Sequence, residues 1–130
     1  MAFVFVGGVV GTLIRYGAEQ GFPAAPGDWP WATFVVNCVG TLVLGTLIAA
    51  LTTTGSDTGW RLRARLLVGV GFCGSLTTYS AFALESDRLL AGGDMGVGLG
   101  YVVGTIAAGL ICAAIGYLAG RRVGERVGNR

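Results

Sequence analysis

Asn37, in the run "WATFVVNCVG", carries an amide with two N–H donors and one carbonyl acceptor in the middle of an apolar stretch, too deep to reach water. Such a group either ties two helices together or hydrogen-bonds an anion stripped of its water. The stretch "GFCGSLTTYSAF", residues 71–82, sets Gly71 and Gly74 beside Ser75, Thr77, Thr78 and Ser80 in another apolar segment. Its hydroxyls would fit a continuous helix in which they bond back to the preceding turn. They would equally fit a break between two half-helices, whose freed carbonyls gather around a cation and whose ends point partial charge at a buried site. We read the stretch as a break.

Tyr79, Phe82 and Glu85 recur every three residues and therefore share one helical face. Aromatics at that spacing commonly pack a core, yet their ring edges carry partial positive charge and can meet an anion. Glu85 reads as an interfacial carboxylate or as a group that orients a neighbouring donor. Tyr101 and Thr105, one turn apart, put two hydroxyls into an apolar helix; Thr105 either back-bonds to its own helix or extends a polar track. Arg15, in "GTLIRYG", is either an anchor that snorkels to the headgroups or a fixed positive charge at the mouth of an anion path.

The segments that must position these residues are membrane helices. With 130 residues, 53% of them hydrophobic and 12% charged, and a mean hydropathy of +0.70, the chain has too little polar surface to coat a water-soluble globule. A bilayer core about 30 Å thick takes about 20 helical residues, and residues 2–18, 31–51, 66–84 and 97–119 suit it. The connections "EQGFPAAPGDWP", "TTTGSDTGW" and "ESDRLLAGGD" hold the polar and turn-forming residues. Trp29, Trp31 and Trp60 fall at span ends, where amphipathic rings favour the interface. The expected fold is an all-α membrane protein, one domain over residues 1–130, with four transmembrane helices and the third of them broken. The opening "MAFVFVGGVV" lacks a basic leader and reads as a retained first span.

All nine basic residues are arginines. Four spans put both termini and the second connection on one side, which then holds Arg61, Arg63, Arg65, Arg121, Arg122, Arg126 and Arg130 against Arg88 alone on the other. That excess predicts a multi-pass plasma-membrane protein with cytoplasmic termini. No basic patch with interleaved aromatics points to nucleic acid. Histidine is absent, as are paired nucleophile and base and the CxxC, HExxH and GxSxG motifs, so no enzyme is expected. Cys38, Cys73 and Cys112 lie in apolar stretches and read as small packing residues. "VGTL" at 10–13 and 39–42, and "GTLI" at 11–14 and 45–48, read as helix-packing glycine patterns rather than a duplication. Twenty-four glycines in so short a chain imply close helix contacts and an oligomer.

The order of these features, "GGVVGTLIRYG" in the first span, "ATFVVNCVGTLVLG" in the second, "GFCGSLTTYSAF" in the third and a Tyr in the fourth, closely resembles the Fluc (CrcB) family of small fluoride channels across all four spans. The resemblance implies an antiparallel dimer with two narrow fluoride pores and a sodium ion at the centre of the interface. It assigns the sodium to backbone carbonyls of Gly74 and Thr77, fluoride to the ring edges of Tyr79 and Phe82, the pore-lining amide to Asn37 and the hydroxyl track to Tyr101 and Thr105. Arg15 matches the vestibule arginine, and Glu85 the glutamate beyond the aromatic pair.

Two positions depart from the family pattern. Tyr79 stands where Phe is usual, and Gly109, one turn after Thr105, stands where many members have another hydroxyl. They point to a degenerate pore surface on this subunit. Homodimeric members insert both ways and carry little charge bias, so the arginine distribution favours pairing with an oppositely oriented paralogue over pairing with itself. The implied function is passive fluoride efflux that lowers cytoplasmic fluoride. A drug/proton exchanger subunit is one rival, but it needs a membrane-embedded carboxylate, and the first span has none; Glu19 follows it. A non-conducting assembly subunit is the other, and it leaves Asn37 and the Thr pair without a purpose.

Overall fold

The computed structural model describes residues 1–128, and every regular element among them is helical. α1 (Ala2–Gly21) and α2 (Trp31–Thr54) form the first two spans. The third is assembled from α3 (Gly59–Ala64), a π-helical stretch (Arg65–Cys73), α4 (Gly74–Leu76) and, beyond a break at Thr77 and Thr78, α5 (Tyr79–Ala91). α6 (Met95–Gly128) is the fourth. Ala2–Gly21, Trp31–Thr54, Gly59–Ala91 and Met95–Arg126 are each long and apolar enough to cross a bilayer. The chain is a multi-pass membrane protein.

The third and fourth helices run beyond the stretches that hydropathy marks out. Helical hydrogen bonding does not stop where lipid stops, so Arg61 and Arg63 sit in α3 and Arg121, Arg122 and Arg126 ride the last turns of α6. Arg130 lies outside the described residues. Hydropathy is also blind to the π-helical stretch, which carries Gly69 and Gly71.

Two helix pairs carry most of the packing: α1 lies along the π-helical stretch and α4, and α2 lies along α6. Glycine makes both close. A Cβ on Gly7 or Gly11 would run into the carbonyls of Leu67 or Phe72, and one on Gly71 would sit 2.6 Å from the Val4 carbonyl oxygen. On the other seam Gly45 faces Ala113, Gly116 faces Leu42, Gly120 faces Thr46 and Gly124 faces Thr53, a register in which both helices advance together and so run parallel. Gly11 and Gly45, the glycines of the two "GTLI" repeats, are thus both sites of close backbone approach. The cysteines are free thiols; Cys73 is buried, and Cys38 neighbours Cys112 in the α2–α6 seam. Three hydroxyls of α2 are satisfied locally, Thr41, Thr46 and Thr53 donating to the carbonyls of Asn37, Leu42 and Ala49 at 3.0, 2.8 and 2.9 Å.

One end of the bundle gathers the N-terminus, the ends of α2 and α6, and α3. Arg63 lies over the Phe3 ring, Arg61 donates to the Thr54 carbonyl and hydroxyl, and Gly124 meets Thr53. Arg65 pairs with Asp57 at 2.6 Å. The opposite end holds a cavity of about 580 Å³ bordered by Asp28, Glu85, Arg88 and Asp94. Between the ends the outward surface is apolar, with Leu13, Val103 and Leu110 all exposed, as lipid or a protein partner requires.

The α2–α6 seam should tolerate no added carbon. Gly116→Ala and Gly120→Ala each push a methyl group into a backbone carbonyl and should cost about 1–3 kcal/mol. Gly17→Ala, where nothing lies within 4 Å, should cost nothing. Denaturant unfolding in detergent micelles compares the three.

Candidate functional site

The site is built around the break in the third span. Thr77 (φ −76°, ψ 148°) and Thr78 (φ −143°, ψ 120°) are extended, so the helix that ends at Leu76 resumes only at Tyr79. A helix interrupted inside a bilayer strands N–H and C=O groups that lipid cannot satisfy. Here side chains take them up. The Thr78 N–H donates to Asn37 Oδ1 at 2.8 Å, and Asn37 Nδ2 donates to the Thr78 carbonyl at 3.2 Å. Thr78 Oγ1 caps α5 by accepting the Ala81 N–H at 3.1 Å. Arg15 Nε donates to the Ser75 carbonyl at 3.2 Å, while its Nη1 pairs with Glu19 at 3.4 Å.

These substitutions decide which carbonyls go free. In a continuous helix the Gly74 carbonyl would accept from the Thr78 N–H and the Thr77 carbonyl from the Ala81 N–H. Both donors are diverted, one to Asn37 and one to the Thr78 hydroxyl. Gly74 and Thr77 therefore lose their helical donors, and both residues border an open groove of about 530 Å³. Among the described residues no group of three His, Cys, Asp or Glu could hold a metal. A cation at this site would be held by backbone oxygens, and the two freed carbonyls fit that requirement.

The same groove is lined by Asn37, Tyr79, Phe82 and Thr105. The Tyr79 and Phe82 ring centroids are 6.1 Å apart, and Phe82 continues to Tyr101 at 5.5 Å. Tyr79 is 81% exposed, whereas Tyr101 is fully buried. Behind Phe82 a polar cluster closes over Glu85: Thr33 Oγ1 donates to one carboxylate oxygen at 2.7 Å and Tyr101 Oη to the other at 2.6 Å. The break brings the C-terminal end of α4 against the N-terminal end of α5, so partial negative and partial positive charge lie side by side at Thr77 and Thr78.

The sequence-predicted residues thus fall into three places. Asn37, Gly74, Thr77, Tyr79, Phe82 and Thr105 meet on one groove. Glu85 and Tyr101 form the cluster beside it. Arg15 stands apart, on the α1 side of the break, holding Ser75. Asn37 takes the first of the two roles open to it in the sequence, tying α2 to the third span, and it also borders the groove. Sequence reasoning gave no role to Thr33, although it lies one turn before Asn37 on the same face of α2, nor to the backbone of Thr78 as the partner of Asn37. The first carried a signal in its i, i+4 spacing; the second pairing spans 41 positions and carried none.

Four membrane helices, with a broken third helix offering backbone oxygens and uncharged donors to one groove, define a small helical membrane protein of the ion-handling kind. Residues 2–117 match the family described as CrcB-like protein, Camphor Resistance (CrcB). The chain is 41% identical over 130 residues to fluoride-specific ion channel FluC 2 of Leifsonia xyli subsp. xyli, covering 100% of this chain and 86% of that one. Two relatives come from Nocardia farcinica: fluoride-specific ion channel FluC 1, 42% identical over 118 residues (88% of this chain, 78% of that one), and FluC 2, 39% identical over 121 residues (91% and 82%). The chain belongs to the CrcB family.

Removing the Asn37 amide leaves the Thr78 N–H and carbonyl without their partner. Asn37→Ala should destabilise the protein by about 1–3 kcal/mol and accelerate hydrogen exchange at the Thr78 amide. Exchange at Thr78 as slow as in the parent protein would show that the amide has found another acceptor.

Proposed function

We propose that this chain is a subunit of a plasma-membrane fluoride channel that lets fluoride leave the cytoplasm passively and so limits its toxicity. The observation that carries the reading is the groove beside the broken helix, where an amide, a hydroxyl and two aromatic rings converge in a chain whose relatives are named fluoride-specific ion channels. Fluoride is small and tightly hydrated, so a selective path replaces its water with closely spaced donors and stays too narrow for larger anions. Uncharged donors do this without a full positive charge that would trap the ion. Arg15, turned toward Ser75 and Glu19, keeps its guanidinium out of that role. A potential negative inside drives each exported anion by about 2.3 kcal/mol per 100 mV.

The finer reading is an antiparallel dimer closing over the groove, with the Gly74 and Thr77 carbonyls of both subunits around one sodium ion. Carbonyl oxygens freed from helical bonding are ligands of the kind that dehydrate alkali cations. Arginines concentrated at the end that holds the termini favour cytoplasmic termini and one fixed orientation. An antiparallel partner would then be an oppositely oriented paralogue. Nocardia farcinica, which carries two such relatives, offers a precedent for two channels of this family in one organism.

Two measurements test the reading. Fluoride-electrode recording from proteoliposomes should show efflux of fluoride and not chloride, requiring the oppositely oriented paralogue and falling when sodium is replaced by N-methylglucamine. Selective efflux from this chain alone would overturn the obligate pairing, and silence with and without the paralogue would overturn the channel. Accessibility labelling of a single cysteine placed at the C-terminus of a cysteine-free variant should report a cytoplasmic position in nearly all molecules; a near-equal mixture would overturn the fixed orientation.

A further inference from the structure

Among the described residues two buried side-chain polar atoms have no hydrogen-bond partner, Trp29 Nε1 and Thr105 Oγ1. Both flank Tyr101. Thr105 follows it by one turn of α6, and the Trp29 ring meets the Tyr101 ring edge-on, with centroids 5.4 Å apart and planes at 89°. Buried donors are paired in all but a few places, and the exceptions need a reason. The two nearby hydroxyls that are paired, Thr33 and Tyr101, are both committed to Glu85. The donors left free beside this cluster are therefore the Trp29 indole and the Thr105 hydroxyl.

The orientation of the indole is fixed by glycine. A Cβ on Gly100 would lie 3.7 Å from Trp29 Cζ3, whereas one on Gly104 would lie 3.0 Å from Cη2 and 3.5 Å from Cζ2. Passing from Cζ3 through Cη2 to Cζ2 around the ring thus follows α6 from Gly100 to Gly104, and Cε2 and then the ring nitrogen lie beyond Cζ2. Its N–H edge is displaced toward the Thr105 end of the helix. Trp29 itself precedes α2 and lines a cavity of about 550 Å³ with Ala18, Phe22 and Trp31; its neighbour Asp28 borders both that cavity and the one that holds Glu85 and Arg88.

We propose that the Trp29 indole N–H is a fluoride donor on the conduction path, continuing the line from Thr105 past Tyr101 toward the end of the molecule that carries Arg88. The inference rests on the fluoride-channel reading above. An indole N–H is an uncharged donor with no acceptor capacity, so it offers an anion one hydrogen bond without repelling it and without a charge that would hold it. It also does not compete for the Glu85 carboxylate, which two hydroxyls already occupy.

Trp29→Phe keeps an aromatic ring against Tyr101 and removes only the donor edge. In proteoliposomes that also hold the oppositely oriented paralogue it should slow fluoride efflux about tenfold, the weight of one hydrogen bond to an ion. The second measurement uses the parent protein, with indole ¹⁵N labelling in micelles. Adding fluoride should shift the Trp29 indole N–H resonance while those of Trp31 and Trp60 stay in place, and chloride at the same concentration should shift none of the three. Unchanged efflux in Trp29→Phe, or an indole resonance that ignores fluoride even where the variant is slow, would overturn the proposal and leave Trp29 a packing residue. If the parent protein passes no fluoride with or without the oppositely oriented paralogue, the channel reading fails, and the titration alone decides whether Trp29 binds the ion.

Discussion

The centre of this molecule depends on where one backbone proton goes. If the Thr78 N–H closed on Gly74, the third span would be an ordinary helix, with no free carbonyls and no groove chemistry. Asn37 takes it instead and returns a bond to the Thr78 carbonyl. Lipid makes such accounting strict, because an unpaired backbone group at membrane depth costs several kcal/mol. Thr78 caps the resumed helix, and Arg15 covers Ser75. The carbonyls of Gly74 and Thr77 are left without a helical donor, as is that of Leu76, whose partner in a continuous helix would be the Ser80 N–H.

Three helices have to converge for that arrangement to hold, and glycine permits it. A Cβ on Gly40 would collide with the Thr77 methyl group, one on Gly11 would strike the Phe72 carbonyl, and one on Gly8 would come within 3.2 Å of Ser75 Oγ. Asn37 and Gly40 lie one turn apart on α2, so the same face brings both the clamp and the space it needs. On α1, Arg15 lies one turn beyond Gly11 and reaches the break from the opposite side. Electrostatics follow the same division. The one arginine near the break is spent on Ser75 and Glu19, and the one carboxylate near the groove is covered by Thr33 and Tyr101. What faces the groove is neutral.

The hydropathy of the chain made the four spans legible, since lipid demands long apolar helices and turn residues mark their ends. The break was legible in Gly74, Thr77 and Thr78, which weaken a helix where no water can repair it. Spacing alone could not say that Asn37 serves the break rather than only the groove, because the pairing crosses 41 positions. Nor could it say that Arg15 would turn to a carbonyl: snorkelling and capping use the same long side chain, and only the approach of α1 to α4 selects between them. The π-helical stretch had no sequence signal; α1 packs closely against it at Gly71. Trp29 read as an interfacial ring, and only the perpendicular Tyr101 contact and its orphaned nitrogen set it apart.

The groove is open as one chain presents it, and on the proposed function its gaps bear on what would face it. Gly109 borders it with nothing within 4 Å, and Tyr79 stands almost wholly exposed on the same face. Beyond Thr105, α6 therefore supplies no hydroxyl for a full turn. On the proposed function, a dehydrated ion passing there would have to find its donor on the facing subunit, because an apolar gap one turn long offers no substitute for lost water. A second copy of this chain would bring the same glycine. A paralogue with a hydroxyl in its place would not, so on the proposed function this glycine and the arginine distribution favour the same arrangement, two different chains of opposite orientation.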